Sequence, residues 1–153
     1  MADLPPLLVD PDLAVDEVMT LVHQGSHHGY VDLSPGVAGD FSPVVDVPAG
    51  PYLADGLDLG AEFFDVAPQD ALPAILDAGR SPLTIAEGVA LVLAHPGVLR
   101  SRSCFQMLGS RAGDKRIPSL WVTQQGRPRL GWCWAGAPHS WLGAASCLRR
   151  VPA

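Results

Sequence analysis

Apolar residues at Val15, Val18, Met19 and Val22 follow the three- and four-residue spacing of one helix face. Asp16 and Glu17 place acids in the first turn, where the helix dipole favours them. Two further segments have the same period with clearer ends. Pro68 suits a first helical position, Leu72, Ile75 and Leu76 form one face, and Gly79 suits the C-terminal cap. Pro73 is tolerable there if it falls within the first turn. Thr84-Ile85-Ala86-Glu87 has capping-box spacing, and Ile85, Val89, Val92 and Leu93 continue a helix that stops near His95-Pro96-Gly97. Elsewhere the pattern shortens to strands. These are expected at Leu4–Val9, Tyr30–Leu33, Val44–Val47 and Tyr52–Ala54 in the first half, with a polar loop over Gln24–Gly29. In the second half they are expected at Cys104–Leu108, Leu120–Thr123 and Leu130–Ala135. The last two form a hairpin across Gln124–Arg129, and Ala144–Leu148 makes a final short strand or helical turn. The order predicts a single α+β domain over residues 1–153, an antiparallel or mixed β-sheet with about three packed helices.

Composition narrows the class. With 48% hydrophobic and 17% charged residues, the chain has enough apolar surface to bury a core and does not read as disordered. Its longest apolar run, Gly88–Ala94, is too short to span a bilayer, and the acidic start Met1-Ala2-Asp3 is unlike a signal peptide. Cys104, Cys133 and Cys147 are odd in number and lack CxxC spacing, so reduced thiols and a cytoplasmic location are expected. Charge is divided along the chain. Residues 1–79 hold fourteen acids and no Lys or Arg, whereas residues 80–153 hold all ten bases and two acids. Either one half meets an anionic or charged partner, or the halves pack together and neutralise each other. A net charge of −6 argues against nucleic acid as that partner.

Two segments carry candidate chemistry. In Gly131–Gly143, Trp132, Trp134 and Trp141 lie close together, with Trp121 on the neighbouring strand. Alternation puts Trp132 and Trp134 on one strand face and Cys133 on the other. The four rings read either as core or as an aromatic pocket wall. His139, in the loop beside them, is the candidate general acid or base. Gly109–Arg116 offers Arg111, Lys115 and Arg116 for a phosphate or carboxylate, although it lacks Walker A spacing. No Gly-x-Ser-x-Gly sequence supports a serine triad, and His95, Cys104, Cys133 and His139 match no zinc spacing. Neither metal nor cofactor is expected.

The runs Gln69–Ile75, Arg80–Gly88, Gly109-Ser110-Arg111 with Gly113–Arg116, and Leu130–Gly136 with Pro138–Gly143 resemble an uncharacterised, mainly actinobacterial family classified only as a domain of unknown function. The resemblance is strongest over the last 90 or so residues, and Ala137 stands where that family commonly has a polar residue. It implies an α+β fold in the cytoplasm and no particular activity. The leading expectation is therefore a small-molecule-binding domain or small cofactor-free enzyme. Its anionic or aromatic ligand would lie between the tryptophans and the basic loop. The rival is a protein-interaction module, with a second copy of the chain as one partner.

Overall fold

Pro5 and Pro6 carry no backbone N–H, and the strand expected over Leu4–Val9 is confined to β1 at Leu7–Val9. The computed structural model describes residues 4–153, so the acidic start Met1-Ala2-Asp3 and the reading made from it lie outside the described residues. Helix α1 spans Val15–Leu21 and buries Met19. The polar stretch after it is more than a loop. Strands β2 (His23–Gln24) and β3 (His27–His28) pair as a tiny hairpin across Gly25-Ser26. Strand β4 follows at Tyr30–Val31. The strand expected at Val44–Val47 lies two residues earlier, as β5 (Ser42–Pro43), and the Val44 N–H closes that pairing by donating to the Gly109 carbonyl at 2.8 Å. Strand β6 occupies Tyr52–Asp55.

Helix α2, Pro68–Asp77, starts at its proline as expected. Pro73 is then the sixth helical residue, beyond the first turn. The Gln69 carbonyl has no helical donor, and the exposure of both residues leaves that carbonyl to solvent. After β7 (Ser81–Pro82) comes helix α3, Ile85–Ala94. Its capping box is complete: the Glu87 N–H donates to the Thr84 hydroxyl at 3.3 Å, and the Thr84 N–H donates to the Glu87 carboxylate at 2.8 Å. The remainder is β-structure: β8 (Cys104–Gln106), β9 (Ser110–Arg111), β10 (Arg116–Val122), β11 (Pro128–Trp134), β12 (Leu142–Ala144), β13 (Ser146–Cys147) and β14 (Arg149–Pro152). The last three replace the single strand or turn expected at Ala144–Leu148.

The main sheet is mixed and runs β12-β8-β10-β11-β4, with β10 antiparallel to β8 and β11, and β4 and β12 parallel to their neighbours. A second, antiparallel sheet runs β1-β6-β14. The domain is α+β. Both sheets pair strands of the acidic half with strands of the basic half. Ion pairs from Asp32 to Arg129 (3.6 Å) and from Asp55 to Arg149 (2.6 Å) join the two halves at those seams.

The register of β10 and β11 separates the two faces of the main sheet. Leu120 and Leu130 face the large core that also holds Val89, Leu91 and Val92 of α3. Ile117 points to the opposite face, where it packs with Ala71 and Ile75 of α2. Trp121 shares the Ile117 face but lies four residues further on, about 13 Å along the strand.

Candidate functional site

The four tryptophans do not form one wall. Trp132 and Trp134 stand on the Leu130 face of β11, as alternation requires, with ring centroids 4.5 Å apart. The Trp132 indole N–H donates to the Ser34 carbonyl at 2.7 Å, which ties this pair to the loop after β4. Trp121 projects from the other face and meets Trp141 edge-on, with centroids 6.1 Å apart at 71°. Gly131 makes room for it, because a Cβ there would lie 2.5 Å from the Trp121 ring. The Arg129 guanidinium stacks over the Trp121 ring at 4.9 Å. His139 leans on Trp141 at 5.3 Å.

Trp121 and Trp141 line a cleft of about 560 Å³ together with Cys104, Val122, Thr123, Gln124, Ser140 and Arg102. It offers two aromatic walls, hydroxyl and amide groups, and one cation. Cys104 is a poor nucleophile there. Its thiol donates to the Arg100 carbonyl at 3.2 Å, and burial pushes its pKa up. Burial likewise raises the Cys133 thiol. His139 does not line the cleft, and its imidazole makes none of the side-chain hydrogen bonds found among the described residues. Its backbone is structural: the His139 carbonyl accepts from the Asp65 N–H at 2.8 Å.

The basic loop lies elsewhere. Arg116 opposes Trp134 across β10 and β11, and so belongs with the Trp132–Trp134 pair. Its charge is answered in part, with Nη1 buried and without a partner. Asp114 accepts from the Arg116 N–H at 2.9 Å and from its Nε at 2.8 Å, while Arg111 donates to the Asp114 carbonyl at 2.6 Å. The backbone N–H of Arg116, followed by its guanidinium, holds the Asp114 carboxyl below its ordinary range. Arg116 also covers the Phe41 ring at 5.1 Å, and Lys115 is exposed. Arg111, Lys115 and Arg116 line none of the five main clefts. Arg116 therefore keeps two of the expected rings, Trp132 and Trp134, on its own face of the sheet, while the strand register sends Trp121, with its partner Trp141, to the other. Arg102 and Arg129 are the cations beside Trp121, and position alone did not distinguish them from other arginines.

The most heavily bonded polar cluster is internal. Glu87 is fully buried. It accepts from Arg150 Nε at 2.5 Å, from Arg150 Nη2 at 2.9 Å and from the Tyr52 hydroxyl at 2.6 Å. Arg150 also donates to the Ser81 hydroxyl at 2.7 Å and to the Pro82 carbonyl at 2.9 Å. The cluster locks β14 to β6, β7 and α3. Burial and then the Glu87 carboxylate push the Tyr52 phenol well above its usual value. Burial works against the Arg150 cation, but its bonds to Glu87 outweigh that and hold its pKa up. Cys147, buried nearby, is pushed up from 9.0 to about 11, chiefly by desolvation.

These shifts predict weakness to base. Below about pH 9 the Cys147 and Tyr52 contributions are intact; from there to about pH 11 the unfolded thiol ionises while the folded one resists, so stability falls as pH rises. The thiol alone contributes about 2–3 kcal/mol over that window. Urea midpoints measured across this range should fall steadily for the natural chain and less for Cys147→Ala. Equal slopes would refute the assignment.

Among the described residues, no three His, Cys, Asp or Glu side chains gather closely enough to hold a metal ion, and no helix is long and apolar enough to cross a membrane. The model of a family of unknown function, DUF5701, matches residues 3–153. The chain belongs to the DUF5701 family. The match extends beyond the last 90 or so residues, where the resemblance was strongest, to take in β1, α1 and the rest of the acidic half. No curated protein and no solved structure matches the chain. Function in this DUF5701 protein must therefore be argued from its own cleft.

Proposed function

We propose that the protein is a small-molecule-binding domain whose ligand is a flat anion held between Trp121, Trp141 and Arg102. The observation that supports this most is the edge-on Trp121–Trp141 pair beside a cleft of about 560 Å³, on a part of the sheet face beyond Ile117 and its α2 partners. That volume lies in the ordinary range for small-molecule sites, and the lining has their usual make-up of aromatic walls and a few polar groups. Arg102 supplies the charge for a carboxylate, sulfonate or phosphate, and Gln124 and Ser140 can orient the ring. With His139 outside the cleft and Cys104 held as a thiol, binding is a better reading than catalysis.

The aromatic sulfonate 8-anilinonaphthalene-1-sulfonate is a suitable probe. Titration followed by tryptophan emission should show saturable binding that Trp141→Ala and Arg102→Ala each weaken by about tenfold, the loss expected for one aromatic contact or one charged contact. Arg111→Ala and Arg116→Ala should leave it unchanged. Binding that ignored Trp141 and Arg102 would defeat the proposal.

A further inference from the structure

The β1-β6-β14 sheet turns Leu7, Val9, Tyr52 and Ala54 inward, and its other face carries an apolar row in solvent. Leu8 pairs with Leu53, and Leu53 pairs with Val151, so the three side chains stand abreast across all three strands. Their exposures are 61%, 37% and 45%. Leu8 also lines an apolar groove of about 280 Å³ between α1 and α3, so the row continues into it past Leu13 and Leu93. Soluble monomers seldom leave such a contiguous surface uncovered. The edges of this sheet are poor places to add a strand. Pro5 and Pro6 precede β1, and Pro152 lies in β14, so neither edge offers a full row of N–H donors. A covering partner would therefore have to pack on the face.

Charge indicates which partner. Asp10 is the one charged residue lining the groove, and it stands just beyond the end of β1. Arg149 stands at the opposite corner of the face, its side chain 64% exposed, two residues before Val151 and paired with Asp55. Leu53, on the central strand, lies between these corners. A two-fold axis through Leu53 would lay the acidic corner of one copy on the basic corner of the other, twice. The face is thus self-complementary in polarity, and Arg149, which holds Asp55 through Nη2 alone, has guanidinium nitrogens left to take Asp10 of the other copy.

We propose that the protein forms a two-fold homodimer through the Leu8–Leu53–Val151 face, with Asp10 of each copy meeting Arg149 of the other. The interface uses no residue of the Trp121–Trp141 cleft and stands or falls separately from it. Sedimentation velocity over a concentration series should show a monomer–dimer equilibrium. Leu53→Glu, which sets two carboxylates against each other on the axis, should leave a monomer with an unchanged circular dichroism spectrum. Asp10→Arg and Arg149→Glu should each weaken the dimer by at least about tenfold. Mixing those two single variants should restore it, because the mixed dimer regains both opposite-charge contacts. A chain that stayed monomeric throughout, a dimer indifferent to Leu53→Glu, or a mixture that failed to associate would overturn the proposal.

Discussion

Glu87→Ala is expected to cost about 3–5 kcal/mol and to leave the protein close to unfolding, since a domain of this kind has about 5–15 kcal/mol in total. The loss comes from what remains after the carboxylate is gone. Arg150 keeps a buried positive charge with only the Ser81 hydroxyl and the Pro82 carbonyl to receive it. The Tyr52 hydroxyl loses its acceptor, and the Thr84 N–H at the start of α3 loses its cap. Each orphaned group adds a desolvation cost. Replacing both ions, as Glu87→Leu with Arg150→Met, should cost much less than the two single changes together, because no unpaired charge is left. Urea unfolding of the natural chain, Glu87→Leu, Arg150→Met and the double variant completes the cycle. Glu62→Ala, at an exposed acid, should shift the midpoint little. Strict additivity of Glu87 and Arg150 would mean that the pair does not act as a unit.

Gly60→Ala is expected to destabilise the fold by about 3 kcal/mol, from two separable causes. Gly60 sits at φ 73°, a left-handed conformation that L side chains rarely adopt. A Cβ there would also lie 2.0 Å from the Ala144 carbonyl oxygen and 2.5 Å from its carbon, which is backbone and cannot swing aside. β12 would have to move, and with it the Ala144–Gln106 register and the packing of Ala144 with α2. Gly79→Ala separates the causes, for Gly79 has almost the same φ, 72°, and nothing within 4 Å of the added Cβ. It should cost only about 1 kcal/mol. Equal losses at the two glycines, read as urea midpoints, would show that β12 accommodates the methyl group and that the contact with residue 60 does not hold it.

How much of this was legible in the sequence depended on whether the deciding contact was local. The α3 capping box and the start of α2 at Pro68 follow from residues within a few positions of one another, and they appear where the spacing predicts. The β10–β11 hairpin is also present, but β10 starts at Arg116, four residues before the expected Leu120, and Pro128–Arg129, expected in the turn, belong to β11. The other role of Glu87 was hidden because Arg150 and Tyr52 arrive from 63 and 35 residues away. The short strand at Ser42–Pro43 was misplaced because its partner, Ser110–Arg111, rather than the valines beside it, sets its position. The tryptophans show the same limit. Alternation correctly joined Trp132 with Trp134. It could not show that the β10–β11 register sets Trp121 on the opposite face, or that Trp141 folds back to meet it. The basic loop looked like an anion site because its arginines are dense in sequence. In the fold Arg111 and Arg116 bond Asp114, while Arg111 Nε and Arg116 Nη1 are buried without a partner.

The small-molecule reading is tested most directly by native mass spectrometry of the freshly purified protein beside its Trp141→Ala variant, each compared with its denatured mass. The natural chain should carry an added small-molecule mass that denaturation removes, with at most traces of it on Trp141→Ala. An identical added mass on both proteins would place the ligand outside the Trp121–Trp141 cleft and contradict the account.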